Sequence, residues 1–503
     1  ARNASFYRDA DLNAELALGQ GDGGLAAAIS GSINGSQVNA HLALPNLFDL
    51  TGDNPWRLTS RLENPRSEIL LGQAGVDLLP FDGEGPGSLS LDLRQPGEGA
   101  AEAKLDYTTE RTQLRSSGAI SLAAESFGQG QGNITLRSQD IEPYLLLTGV
   151  SVPQFGSGLP TELNADVAVS EQSIDVKNLK GQVAENAFEG QLSAARAAGN
   201  RITGSLSTDH LDLVWLAEAV FGPLNDPATG ASSDKPFALP LFGDAEMALD
   251  LKARQFDASS LGSISDLSAQ LALRGGAITV DNAQGGWKDG KVSGRILMSN
   301  GSGTGIVQTR LQVENADLAS VVWRQGDRPV ASGRMSLETS AEASGGSMQD
   351  LFGALSGSGA LQLSDLSING LNPDLLQSLM QSADKNKQDV NEARVAAIAK
   401  PLVHQGRLAV GDLTVPFTIT AGQVRVQEAK AQADKVALAA EGQADILGGT
   451  LDATVSVTYD PGQETMPGSD PTIRLRYAGE RNRPSEQIDA APMANFLSMR
   501  AYE

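Results

Sequence analysis

Three histidines, a surplus of carboxylates and two glycine-rich stretches are the parts of this 503-residue chain whose residue types could do chemistry. His41, His210 and His404 lie far apart and none stands in an HExxH arrangement, so no spacing pairs two imidazoles on a metal. There is no cysteine, which removes thiolate ligands, a cysteine nucleophile and disulfides together. No Gly-x-Ser-x-Gly elbow occurs. GQGDGG at 19–24 and GQGQGN at 128–133 have the glycine density of a phosphate-cradling loop, but neither runs into Lys-Ser/Thr and a helix, and both read as turns. Carboxylates are numerous enough for two to meet as a glycosidase pair, yet spacing singles out no two. The expectation is a chain with no catalytic residue, no metal and no cofactor, whose function lies in a surface.

The charge narrows the surface's partners. With 61 acidic against 38 basic residues the formal charge is −23, which repels phosphate backbones and anionic membrane faces, so nucleic acid is not an expected partner. No apolar run approaches 18 residues, the length a membrane span needs. The chain opens on Ala1 in mid-pattern and its end, FLSMRAYE, stops inside an expected helix; the expectation is a piece of a longer protein, with any membrane anchor in the missing part.

The elements that would build such a surface are strands. Leu89, Leu91 and Leu93 alternate with polar residues; so do Leu163, Ala165, Val167 and Val169, then Met247, Leu249, Leu251 and Ala253, then Leu451, Ala453, Val455, Val457 and Tyr459. Period-two patterning marks strands with one apolar and one wet face. One phrase recurs: QSIDVKNLKG (172–181), GAITVDNAQG (276–285) and GQVRVQEAKA (422–431) each place a β-branched residue, a spacer, Val, a spacer and then Asn or Glu. Gly190, Gly294 and Gly442 follow sixteen, sixteen and eighteen residues after Ile174, Ile278 and Val424. A recurrent β unit laid side by side accounts for the repetition.

Helical patterns are few. Asn372 and Pro373 open one whose stripe is Leu375, Leu376, Leu379 and Met380; a more polar helix follows to about Lys400, where Pro401 should end it; Met493, Phe496, Leu497 and Arg500 mark a last one. The fold expected is mainly β: an extended, curved, mostly antiparallel repeat sheet, groove-like, with a few short helices near the C-terminus. Its divisions fall at 1–150, 151–365 with a Pro-rich loop near 222–240, a helical insertion at 366–402, and 403–503.

About three helices cannot cover the apolar faces of so many strands. Either the sheet closes on itself, or the face is a trough for something greasy, well beyond the few hundred Å² a soluble monomer leaves open. The residues expected to line such a trough are Ile278, Val280, Val292, Ile296, Leu311, Val313, Val424, Val426, Val436, Leu438, Val455 and Val457, some of which must pack under the helices instead.

Three stretches carry a family resemblance. LFGALSGSGALQLSDLSINGLNPDLLQSL (351–379), with its Gly-Ser turn, strand and Gly-Leu-Asn-Pro step into a helix, looks like a signature of the AsmA family. LTVPFTITAGQVRVQEAKAQADKVALAAEGQADILGGTLDATVSVTY (413–459) resembles that family's final β segment, and PTIRLRYAGERNRPSEQIDAAPMANFL (471–497) its closing strand, bend and helix. The resemblance implies a Gram-negative envelope protein with an N-terminal inner-membrane helix, absent from this chain, and a periplasmic β body with a hydrophobic groove. It implies phospholipid acyl chains as partners, a role in outer-membrane biogenesis, and an outer-membrane partner. Two other readings stay open: a structural or adhesive β-repeat protein with a closed core and no ligand, and a β-solenoid hydrolase with facing acids.

Overall fold

The computed structural model describes residues 6–18, 24–45, 55–76, 84–97, 99–147, 151–153, 156–195, 201–226, 229–230, 232–242, 245–301, 303–386, 391–446 and 448–502. The glycine stretch at 19–24 lies almost wholly outside them. Among the described residues the protein is mainly β: 25 strands belong to one open, mostly antiparallel sheet and two more form a short separate ribbon. The chain divides into two compact units, Ala1–Gly222 with Leu239–Leu261 and Ser268–Ile278, and Pro223–Ala238 with Gly262–Leu267 and Thr279–Glu503.

The first unit is a meander: β1 (Asp11–Leu18), β2 (Leu25–Ile33), β3 (Ser36–Leu44), β4 (Trp56–Asn64), β5 (Gly87–Gln95), β6 (Ala101–Thr109), β7 (Thr112–Ile120), β8 (Gly130–Ser138), β9 (Thr161–Val169), β10 (Ser173–Val183), β11 (Asn186–Ala195) and β12 (Ile202–Asp212), each antiparallel to the next. Asn34 and Gly35, both at positive φ, close β2 onto β3 as a two-residue turn whose twist matches the strands. α1 (Ser67–Gln73) and α2 (Glu142–Leu147) interrupt the run, and α3 (Leu213–Phe221) follows β12. β13 (Met247–Asp257) then lies parallel to β12. A parallel neighbour needs a crossover, and α3 with the Pro-rich segment supplies it. Asp212 starts α3 by accepting from the amides of Val214 (2.6 Å) and Trp215 (3.2 Å).

β14 (Ser263–Arg274) and β15 (Ala277–Trp287) follow. The second unit continues with β16 (Gly290–Gly301), β17 (Thr304–Asp317), the ribbon β18 (Arg324–Gln325) and β19 (Arg328–Pro329), β20 (Ala331–Gly345), α4 (Met348–Gly353), β21 (Ser356–Asn369), α5 (Leu375–Asn386), α6 (Glu392–Val403), β22 (Arg407–Thr420), β23 (Gln423–Ala433), β24 (Val436–Asp445), β25 (Thr450–Tyr459), β26 (Thr472–Glu480), β27 (Ser485–Asp489) and α7 (Ala491–Tyr502). Strands β16, β17, β20 to β27 pair antiparallel in that order. Leu375, Leu376 and Leu379 of α5, Val395, Ala399 and Val403 of α6, and Met493, Phe496 and Leu497 of α7 pack with Val436, Leu438, Val457, Ile473 and Leu475 into one buried core.

The recurrent phrase has a geometrical meaning. Its three copies are β10, β15 and β23, and two enter after two-residue turns of positive φ, Gly275-Gly276 and Ala421-Gly422. At the polar position the register slips: Val176 faces Leu192 but Leu179 faces Gly190, and Val426 faces Gly442 but Ala429 faces Ala440. One residue is therefore extra in each, a β-bulge that bends the strand and raises its twist. Asn178 (φ 49°) and Asn282 (φ 51°) occupy this position with left-handed backbone, as do Asn315 and Asp365 at further slips in β17 and β21. Asn and Asp tolerate that conformation; β-branched residues do not.

The helices expected near the C-terminus are α5, α6 and α7; four shorter ones, α1 to α4, are described earlier in the chain and escape a periodicity reading because 6–9 residues complete only about two turns. One expectation needs correction. Pro401 does not end α6, which runs to Val403. A proline so near the end forfeits a single ladder bond, to the carbonyl of Ala397, as the helix finishes anyway.

Candidate functional site

Register sorts every side chain of the first unit onto one of two faces. One row across the strands reads Leu42, Leu58, Leu93, Ala103, Gly118, Gly132, Val167, Val176, Leu192, Gly204 and Leu249. The row one residue over, on the other face, reads His41, Thr59, Asp92, Lys104, Ser117, Asn133, Asp166 and Lys177. The apolar row is half-buried from Leu42 to Leu192, neither solvated like a surface nor sealed like a core. At one side α1 and α2 do seal it: Leu70 packs with Leu89 and Tyr107, backed by Tyr144 edge-on to Tyr107 at 6.5 Å. Glu84 pins that closure, its Oε2 accepting from Thr109 Oγ1 (2.8 Å) and the Tyr144 hydroxyl (3.0 Å).

The second unit repeats the design. Val292, Ile296, Leu311, Val313, Val424, Val426, Val436, Leu438, Val455 and Val457 share one face, linked through Leu337, Leu361, Val415, Phe417 and Ile419 on the intervening strands. They divide by cover. Val436, Leu438 and Val457 are sealed under α5, α6 and α7, with Val455 packed against that core. Val292 and Val313 are buried, as are Ile278 and Val280 on β15. Ile296, Leu311, Val424 and Val426 are half-buried, and so are Leu337, Leu361, Leu363, Leu413, Val415 and Phe417 beside them. Between these residues, Glu338, Gln362, Thr414 and Arg425 stand exposed on the opposite face. The half-buried strip spans β16 to β23.

Glycines mark close approaches between strands on the apolar faces. Gly118, Gly130, Gly132, Gly181 and Gly190 all fall on the apolar face of the first unit, and a Cβ on each would lie 2.0–2.6 Å from a carbonyl oxygen of the neighbouring strand. Gly294, Gly357 and Gly359 do the same on the apolar face of the second, at 2.2–2.6 Å. Such close backbone approach is the reason these positions carry glycine, as at bends and kinks inside strands.

The polar face is held by charge. Arg57 pairs with Asp92 at 2.7 Å, Arg115 with Asp106 at 2.9 Å and Arg476 with Asp452 at 3.0 Å. The arginine hydrogen bonds hold Asp92 and Asp452 below the usual carboxylate range. A depression of about 630 Å³ on this face is lined by His41, Asp92, Lys104, Asp106 and Arg115; its two acids are already taken by arginines. His210 is exposed. His404 sits between the Gly370 carbonyl (Nδ1, 3.2 Å) and Glu486 (Nε2, 2.8 Å). Both partners are acceptors, an arrangement that favours the doubly protonated ring, and the Glu486 bond raises its pKa. Burial opposes the Glu486 charge, but His404 outweighs it and the carboxyl is held low. The pair ties the end of α6 to β27. Among the described residues no group of His, Asp and Glu is arranged to hold a metal.

The sequence alone points to inward aliphatics from β15 onward and passes over the equivalent row in β3 to β12, though Leu89, Leu91, Leu93 and Leu163 carry the same alternation. What the structure defines, in each unit, is a sheet with an apolar, half-buried face and a wet, ion-paired opposite face. No family model matches the chain, and comparison with characterised proteins and with solved structures likewise returns no match.

Proposed function

We propose that the apolar face holds or conducts phospholipid acyl chains. The observation that carries the reading is the strip from Ile296 through Leu311, Leu337, Leu361 and Val415 to Val426, on one face and half-buried. Hydrocarbon gains about 0.8 kcal/mol per CH₂ on leaving water for such a wall, without needing a specific contact. Together with the resemblance of 351–379, 413–459 and 471–497 to the AsmA family, this favours a periplasmic protein of the Gram-negative envelope. In that reading it is anchored at the inner membrane in its full-length form, moves phospholipid toward the outer membrane, and supports outer-membrane biogenesis.

The sealed core under α5 to α7 favours the second reading, a structural or adhesive β-repeat protein with a closed interior. Photo-crosslinking separates the two. A photoreactive residue at inward Leu361 or Val415 should capture phospholipid from cells, while one at the adjacent outward Gln362 or Thr414 should not. Equal or absent capture at both, with no lipid in organic extracts of the purified chain, would leave the structural reading standing.

A further inference from the structure

One seam inside the second unit is left unzipped. β22 runs for 14 residues and β23 for 11, both are described throughout, and the turn Ala421-Gly422 joins them. Yet only three pairs form between them: Thr420 with Gln423, Ile419 with Val424 and Thr418 with Arg425. Beyond these the strands run on side by side without a ladder, while β22 stays paired to β21 as far as Arg407 and β23 to β24 as far as Ala433. The other neighbours from β16 to β26 hold their pairing along nearly the whole strand.

The sequence supplies a cause on each side. Ala421 (φ 52°) and Gly422 (φ 74°) make a two-residue turn, so the closing pair Thr420–Gln423 exchanges ladder bonds, and so does every second pair from it. The next such rung after Thr418–Arg425 would join residues 416 and 427. Position 416 is proline, which has no amide to give. On the other strand the extra residue of the β23 bulge falls between Val426 and Ala429, so register is lost there too. A proline in a sheet belongs at an edge, and here it makes an edge in the interior.

The seam lies where the open strip ends. Val415 and Phe417 on β22, and Val424 and Val426 on β23, are half-buried on the apolar face. The next strand, β24, carries Val436 and Leu438, sealed under α5 to α7. A hydrocarbon chain lying across the strands from Ile296 onward therefore meets packed protein directly after β23. On the opposite face Pro416 and Gln427 stand exposed.

We infer that the β22–β23 seam is a side port through which a phospholipid acyl chain passes between the apolar strip and the opposite face. This rests on the lipid reading and adds to it the place where lipid enters or leaves. Parting the strands there breaks no ladder bond beyond Thr418. The proline and bulge that interrupt the ladder would also deny bonds to an inserted strand of another polypeptide, whereas hydrocarbon asks for none.

The chain has no cysteine, so Pro416→Cys with Gln427→Cys can lock the seam by a disulfide on the exposed face, clear of the strip. The whole chain is loaded with a fluorescent phospholipid, its content is measured by organic extraction, and release to phosphatidylcholine vesicles is timed oxidised and reduced. Oxidation should slow release about tenfold with content unchanged, and reductant should restore it. Pro416→Val, which returns the missing amide, should slow release about fivefold and retard hydrogen exchange at Gln427. A chain that takes up no lipid refutes the lipid reading and the port with it. A loaded chain that releases equally fast oxidised and reduced refutes the port alone. So does an unaltered chain in which the Gln427 amide exchanges as slowly as that of Arg425, since the seam would then be zipped in solution.

Discussion

Replacing Leu361 with Asp separates holding lipid from merely folding. Leu361 lies mid-strand on β21 between Leu337 and Val415 and is half-buried, so a carboxylate there keeps its water in the empty protein. The folding cost is then that of a partly exposed substitution, about 1 kcal/mol. With an acyl chain in place, the hydrated carboxylate denies contact over one strand spacing of ~4.8 Å. That is roughly four methylenes of chain, or about 3 kcal/mol at ~0.8 kcal/mol each. Lipid retention should fall about a hundredfold. Val457→Asp supplies the contrast, because Val457 is fully buried under the helices and a charge there has no water to keep. It should cost more than about 4 kcal/mol and unfold the C-terminal core. The assay is urea unfolding followed by tryptophan fluorescence, with mass spectrometry of organic extracts from the same preparations. Leu361→Asp with undiminished lipid refutes the groove. So does a Leu361→Asp variant as unstable as Val457→Asp, since it would mean the strip is sealed in solution.

Three further outcomes follow from the geometry. His404 has a raised pKa, so its contribution is full below the ordinary imidazole value of 6.5 and is lost as pH rises through its folded value; Glu486 has a lowered one, so its share is full above 4.5 and is lost as pH falls through its own. His404→Gln should therefore cost about 1–2 kcal/mol between those limits and progressively less as the pH rises above them, read from unfolding midpoints against pH. At the bulge on β17, Asn315 holds φ 53°, so Asn315→Val should be about 2 kcal/mol less stable than Asn315→Gly by denaturant titration. Gly118→Val places a Cβ within 2.2 Å of the Gln131 carbonyl; it should cost about 3 kcal/mol and, in whatever fraction folds, reduce captured lipid by splaying β7 from β8.

The strands were legible because period two is local: Leu89, Leu91 and Leu93 reveal β5 without reference to any partner. The repeated phrase was legible as a phrase but not as a bulge. A polar residue after Ile-x-Val looks like ordinary alternation until the partner's register exposes the extra residue, as Val176 and Leu179 on one face do. The helices α5 and α7 announced themselves through Leu375, Leu376, Leu379 and through Met493, Phe496, Leu497, whereas α1 and α4 are too short to write a stripe. Cover was illegible altogether. Val426 and Val457 are both valines in alternating strands, yet one is half-open and the other sealed, and the difference lies in where α5 to α7 fold back. The recurring glycines read as turn formers, and several are instead close approaches inside strands, visible only once a neighbour's carbonyl stands where a Cβ would go.

The energy scale of the open strip bears on what fills it. Ten half-buried aliphatic or aromatic side chains line it, from Ile296 to Val426. If each leaves about 50 Å² to water, roughly 500 Å² is uncovered, and at ~25 cal/mol per Å² that is about 12 kcal/mol of unrealised burial. Such a sum rivals the whole net stability of a typical domain, about 5–15 kcal/mol. A second sheet would normally claim it, stacked ~10 Å away. Here the described strands other than the β18–β19 ribbon belong to one sheet, and Glu338, Gln362 and Arg425 on the outer face make that face unfit to serve as another sheet's lid. The helices α5 to α7 close part of the face and the rest stays half-buried. Under the proposed function hydrocarbon would recover the rest without asking for a single hydrogen bond, and a chain stripped of lipid with detergent should then melt earlier than the loaded one.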